Sequence, residues 1–341
     1  MQNQADTNVF QIALDTMGAD FSPRNEVLGA LKTLKETGGR IGITLVGKKD
    51  ELENEVRLQA GSIPDGLQFE NATEVITMHD EPVAALRSKR NSSIVKGLEL
   101  IKEGKAHAFV SAGNTGSVMS GATLELGRIK GVTRPMIGAQ FPRSEGDFTL
   151  VFDVGATVDA KPQWLKEYAV MGTIYAREIF GISNPKVGLL SVGEEESKGN
   201  ELVFETTKLL KQTNVNFIGN VEGRDVLNAK ADIILCDGFT GNVLLKFTES
   251  VLGVLKHRIR DYAGKGLLNK LKAGITGAVL KASLKDFDYQ EHGGVPLLGV
   301  NGVVIIGHGS SSPKAFMNMI VRADEMARKD VSGRIRSALE Q

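Results

Sequence analysis

A single cysteine, Cys236, stands among 341 residues. One thiol cannot form an intramolecular disulfide or assemble a cysteine-based zinc cluster, and its isolation fits a reducing compartment. Excess charge is also missing. Lys and Arg total 41, as do Asp and Glu, so no net field favours nucleic acid as a partner. The opening residues MQNQADTN lack a basic stretch followed by an apolar core, and no run of about 18 apolar residues occurs. A protein neither secreted nor membrane-spanning is therefore expected. Neither a Walker A pattern nor G-x-G-x-x-G follows any predicted strand, which removes the usual marks of a nucleotide or dinucleotide site. Internal repeats and low-complexity linkers are absent too.

What is present is enough apolar sequence, 41% of residues, to bury a substantial core. Strand-like and helix-like stretches alternate. Strands are predicted at 9–14, 41–46, 67–69, 108–110, 187–192, 215–218, 231–235 and 303–306. Helices are predicted from Pro23 to Lys35, 49–59, up to Ile101, 117–126 and 162–180. Such alternation predicts an α/β fold with a mainly parallel sheet covered by helices. In such sheets ligands collect beyond the carboxyl ends of the strands. Six candidate ends carry polar or glycine residues: Asp15 with Gly18, Ser111 with Gly113, Asp153 with Gly155, Ser191 with Gly193, Asp237 with Gly238, and Gly307-His308-Gly309. They suggest one shared site.

The stretch Val110 to Gly116, VSAGNTG, reads as strand, tight loop and helix start. Glycines 113 and 116 let the backbone bend closely, and the first turn of a helix leaves N–H groups free to bind an anion. Ser111, Asn114 and Thr115 add side-chain donors. A second stretch of this kind, Gly307-His308-Gly309-Ser310-Ser311-Ser312-Pro313-Lys314, is either another anion site or a plain serine-capped helix. Asp15, Asp153 and Asp237 could in principle gather a magnesium ion, but they lack the close spacing of a cation loop, and no metal is expected. Cys236 ends an apolar strand and reads as a buried thiol, while Asn242 reads as the cap of a helix beginning near Val243.

One segment departs from the even charge balance. Between Lys256 and Lys285 eight Lys or Arg face a single acid, Asp261. Leu268, Leu271, Ile275, Val279 and Ala282 recur there every three or four residues, which predicts a basic amphipathic helix. Such a helix can lie on an anionic membrane or pack at a dimer interface with a solvated basic edge.

Taken together, DTMGAD, ALRSKRNSS, VSAGNTG, VFDVGA, GEEESKGNE, FIGNVEGRD, CDGFTGNVLLK, GGVPLLGVNG and GHGSS resemble the bacterial phosphate acyltransferase family, in order from Ile12 to Arg336. The resemblance implies a three-layer α/β/α sandwich similar to the isocitrate and isopropylmalate dehydrogenase-like fold. One large catalytic domain would span 8–338, with 256–290 as a basic amphipathic helical insertion. It implies transfer of a long acyl group from acyl-carrier protein to inorganic phosphate, giving acyl phosphate for phospholipid synthesis. It also implies a homodimer, no cofactor, and a cytoplasmic protein lying peripherally on the inner face of the cell membrane. There a glycerol-phosphate acyltransferase would take up the product.

The chemistry explains why no nucleophile and base pair stands out. Phosphate has a second pKa near ~6 and a thiol leaving group one of about 8.5, so little proton transfer is needed at neutral pH. The task is to hold the phosphate against a carbonyl that is becoming an oxyanion, using positioned N–H donors and cations. Ser111, Gly113, Asn114, Thr115 and Gly116 are the expected phosphate cradle. Arg87, Arg90 or Lys198 is the expected cation, Asp237 and Asn242 the orienting residues, and His308 and Ser310 the thioester side. Leu268, Leu271, Ile275 and Val279 are the expected membrane contacts. The rivals are a phosphotransacetylase acting on a coenzyme A thioester and a non-catalytic scaffold for acyl-carrier protein.

Overall fold

Ile12 and Leu14 of the first strand face one layer of the core and Ala13 faces the other. That two-residue alternation, repeated by Ile305 against Val304 and Ile306, is what a sheet covered on both faces requires. The computed structural model describes residues 9–283 and 289–340. The first half runs β1 (Phe10–Asp15), α1 (Arg24–Thr37), β2 (Ile41–Gly47), α2 (Lys49–Ala60), β3 (Leu67–Asn71), α3 (Pro82–Ser88), α4 (Ser93–Lys102), β4 (Ala108–Ser111) and α5 (Thr115–Glu125). The middle adds β5 (Met136–Pro142), β6 (Phe148–Phe152), α6 (Pro162–Phe180), β7 (Lys186–Leu190), α7 (Glu201–Leu210), β8 (Asn216–Val221) and β9 (Ile233–Leu235). Last come α8 (Gly238–Gly264), α9 (Leu267–Ser283), β10 (Val295–Leu298), β11 (Val303–Ile306), α10 (Pro313–Arg328) and α11 (Val331–Leu339).

The described strands form one sheet in the order β3-β2-β1-β4-β11-β10-β5-β6-β9-β7-β8. Helices α1, α2, α6, α7, α10 and α11 cover the face that carries Ile12, Leu14 and Ile305, while α3, α4, α5 and α8 cover the other. This is the expected three-layer α/β/α arrangement. Complete burial of side chains such as Ile12, Leu14 and Phe109 contributes roughly 1.5–3 kcal/mol each.

Two strands in the middle of the sheet break the parallel run. β10 is antiparallel to both β11 and β5, and β5 is antiparallel to β6. Beyond that point β6, β9, β7 and β8 are parallel to one another. Strands β3, β2, β1, β4 and β11 therefore end at one edge, and β6, β9, β7 and β8 at the opposite edge. The six polar strand ends do not share an edge, contrary to the expectation from alternation. Asp15, Ser111 and Gly307 lie on one side, and Asp153, Ser191 and Asp237 on the other.

The helix after β9 also begins earlier than expected. Asp237, not Asn242, is its cap, with Oδ1 accepting from the Thr240 N–H at 2.8 Å. The glycines permit the early start. A Cβ at Gly241 would sit 1.9 Å from the Asp153 carbonyl oxygen, and one at Gly238 would sit 2.7 Å from that of Thr157. The segment 256–290, expected as one amphipathic helix, comprises the end of α8 and all of α9, which pack on each other. Residues 284–288 of that segment and the side chains of Ile275 and Ala282 lie outside the described residues. Among the described residues no helix is long and apolar enough to cross a membrane.

Candidate functional site

Three loops meet at the edge where β1, β4 and β11 end. Gly18, at φ 92°, packs so closely that a Cβ would lie 3.1 Å from the Ile76 carbonyl oxygen and 3.6 Å from the Gly113 Cα. Asp20 N–H donates to the Gly309 carbonyl at 2.9 Å, and Asn25 Nδ2 donates to the Ser311 carbonyl at 3.0 Å. These contacts tie the loop after β1 to the loops that open α5 and α10, so two helix N-termini face the same edge. Beneath them Ser111 Oγ donates to Asp15 Oδ2 at 2.6 Å and accepts from the Gly113 N–H at 3.1 Å. Met17 N–H completes the clamp, donating to Asp15 Oδ1 at 2.9 Å. Burial pushes Asp15 up to about 6, against the lowering effect of the Ser111 hydroxyl.

The expected cradle residues divide by position. Ser111 is fully buried and acts under the loop, with its hydroxyl already engaged. Asn114 caps α5, its Oδ1 accepting from the Ser117 N–H at 3.0 Å. Its Nδ2 donates to the carbonyls of Thr77 at 3.0 Å and Asp80 at 3.2 Å. Both ends of that amide are committed to holding the loop. Thr115 is exposed and Gly116 half-buried, and their N–H groups belong to the helix turn that has no intrahelical acceptors. On the second loop His308 and Ser310 are exposed and joined, His308 Nδ1 to Ser310 Oγ, at 2.8 Å.

At the opposite edge Asp153 is wholly buried and accepts from the N–H groups of Ile137, Gly155, Ala156 and Thr157. Burial raises it to about 6 despite those donors. This acid organises a turn, and the three acids weighed for magnesium do not converge. Among the described residues no group of three or more His, Cys, Asp or Glu could hold a metal ion. Cys236 is buried, and burial raises its thiol well above the ordinary range. Asp237 lines a cavity of about 560 Å³ with Ser191, Asn200, Thr240 and Phe247. Lys198 is exposed in the loop before α7, and Arg90 is paired with Glu125 and Glu99. Neither cation lines the cavity next to the two glycine loops, and Arg87 does not either.

Helix α8 reconnects the two edges. It starts beside Asp153 and crosses the face of the sheet, so that Asn242, Leu245, Lys246 and Glu249 roof a cavity of about 230 Å³. Thr115, His308 and Asn242 all line it. The structure thus brings together residues from α5, α8 and the loop after β11, and leaves Asp237 and Lys198 elsewhere. The floor includes β5, from which Ile137, Ala139, Gln140, Phe141 and Pro142 line the cavity. Those residues were missed by reading the sequence, although the mostly apolar run from Met136 to Phe141 is a strand signal.

The family model described as Fatty acid synthesis protein matches residues 10–334. The chain belongs to this family. It is 44% identical over 331 residues to the phosphate acyltransferase of Brevibacillus brevis, covering 97% of this chain and 98% of that protein. It is 45% identical over 331 residues to the phosphate acyltransferase of Pelotomaculum thermopropionicum, covering 97% and 95%. Among solved structures, the EutD phosphotransacetylase from Staphylococcus aureus superposes with a TM-score of 0.60 at 16% identity, covering 94% of each chain. A 4-hydroxythreonine-4-phosphate dehydrogenase from Burkholderia phymatum does so at 0.50 and 13%, covering 94% and 98%. These structures share the fold. Membership of the family makes the chain an acyltransferase of the fatty acid synthesis protein family.

Within this family member, the edge at Asp15, Ser111 and Gly307 has the electrostatics an acyl transfer needs. Two helix N-termini carry partial positive charge, and backbone donors are held by side chains that lie beneath them. Asp15 and Glu26 are buried beneath the loops, whereas Asp20 is exposed beside Gly309.

Proposed function

We propose that the protein transfers a long-chain fatty acyl group from acyl-carrier protein to inorganic phosphate, producing acyl phosphate for phospholipid synthesis. The observation that carries this reading is the meeting of the α5 and α10 N-termini at adjacent strand ends, with Thr115 and His308 on one cavity. A phosphate oxygen attacks the thioester carbonyl, the carbonyl becomes an oxyanion, and the carbon–sulfur bond breaks to release thiolate. Backbone N–H groups at Thr115 and Gly116 hold one anion, and the loop at His308 and Ser310 receives the other. Asn242, reaching in from α8, orients the acyl carbonyl. Asp237 acts by fixing the start of α8.

The same reading includes a homodimer formed along the outer side of α8, where Phe239, Val243, Phe247, Val251 and Val254 are exposed. At four- and three-residue spacing they make one apolar stripe, opposite the face that roofs the cavity. It also places α9 on the inner surface of the cell membrane through Leu268, Leu271 and Val279, which are exposed among basic residues. Hydroxylamine trapping tests the reaction. Long-chain acyl-carrier protein plus phosphate should give phosphate-dependent hydroxamate. A preference for the coenzyme A thioester at equal concentration would instead favour the phosphotransacetylase reading.

A further inference from the structure

On the phosphate acyltransferase reading above, we propose that the cavity between β5 and α8 receives the acyl chain, and that Ala139 sets how many carbons enter. The floor is a row across three strands. Val295 pairs with Ile306, and Leu297 pairs with Ile137, so two residues along the antiparallel pair Val295 stands opposite Ala139. Ile306, Val295 and Ala139 therefore lie side by side, and all three line the cavity. Leu245 closes it from α8. The charged pair on the roof, Lys246 and Glu249, is internally satisfied at 2.9 Å.

Apolar side chains make up most of this lining, with Gln140, Thr248, His292 and Ser311 among the polar ones, and a mostly apolar space favours a hydrocarbon. Thr115, His308 and Asn242 line the same cavity and are placed for the phosphate and the thioester. A chain whose carbonyl reacts at those groups has this mostly apolar space beside it to enter. Scaled from a cavity of roughly 150 Å³ that takes up six-carbon benzene, the 230 Å³ here holds about nine carbons. Ala139 is the smallest side chain in the floor row. Its size keeps open the space that a phenyl ring, about six carbons on the same scale, would fill.

The test measures kcat/KM for wild type and Ala139→Phe with acyl-carrier protein thioesters from butyryl to palmitoyl. For wild type the value should rise about fourfold per methylene, the equivalent of about 0.8 kcal/mol each, until about nine carbons are reached and then level off. For Ala139→Phe only about three carbons should fit, so the profile should already be level from butyryl upward, with the KM for phosphate unchanged. Wild type making no acyl phosphate from any donor would refute the parent reading. An active wild type with the same chain-length profile in Ala139→Phe would overturn the cavity assignment alone. Should Ala139→Phe fail to fold, photolysis of wild-type protein with a diazirine-tagged palmitoyl thioester decides. Label on Ala139, Phe141 or Leu245 supports the assignment, and label confined to the outer face of α8 overturns it.

Discussion

Ser111 Oγ lies 2.6 Å from Asp15 Oδ2 and donates its proton there, while accepting the Gly113 N–H at 3.1 Å. All three groups are buried, so the pair works as an internal strut joining β1 to the glycine loop. Removing the hydroxyl leaves two buried groups without their partner, which costs about 1–3 kcal/mol. Ser111→Ala should lower stability by that order and raise the KM for phosphate more than it lowers kcat. A double-mutant cycle with Asp15→Asn should show coupling between the two sites. Additive effects on both stability and KM would dissolve the strut.

Glu26, in the first turn of α1, is the second buried acid near these loops. Ser22 Oγ donates to its Oε1, and its Oε2 has no hydrogen-bond partner among the described residues. Burial raises its pKa from 4.5 to about 7, with the Asp15 charge adding to the rise. The folded protein therefore holds this proton more tightly than the unfolded chain does. The resulting stability is complete below the ordinary value and is lost as pH climbs to about 7. Wild type should lose more stability than Glu26→Gln across that interval, by a few kcal/mol at most. Parallel denaturation curves for the two proteins at every pH would contradict this.

Asn114 allows its two duties to be separated. Asn114→Ala removes the cap and the links to Thr77 and Asp80, and should destabilise by about 1–2 kcal/mol. Asn114→Asp keeps the Ser117 cap but turns the donor end into an acceptor facing carbonyl oxygens. The acid should therefore cost turnover or phosphate KM about as much as the alanine does. Full activity in Asn114→Asp would limit Asn114 to capping.

The two exposed apolar faces of the helical pair make separable expectations. Phe247→Glu on the outer stripe of α8 should convert a dimer to a monomer by light scattering. Leu268→Glu with Leu271→Glu on α9 should abolish flotation with anionic liposomes and leave the dimer intact. A wild type that is monomeric, or flotation that ignores both lipid charge and the double substitution, would remove the corresponding proposal.

Much of the site's inventory was readable from the chain. The loops at Ser111 to Gly116 and Gly307 to Ser312 announce themselves because glycine and capping residues at a strand-to-helix junction have few other uses. What Asn114 and Ser111 do with their polar atoms was not readable. Their partners Thr77, Asp80 and Asp15 are brought close only by folding. Asn242 looked like a cap because capping is a local pattern, and only the close approach of Gly238 and Gly241 to the Asp153 turn moves the helix start to Asp237.

By itself, the sequence determined the α/β class, the alternation of elements, the two glycine loops and the family to which they belong. These follow from local propensity and residue order. The tertiary structure alone decided which strand ends share an edge. Strand direction is fixed by pairing between distant segments, and here two strands, β5 and β10, reverse the second half of the sheet against the first. That reversal separates Asp237 and Lys198 from the anion loops, and the long helix α8 then carries Asn242 back across the sheet to meet Thr115 and His308.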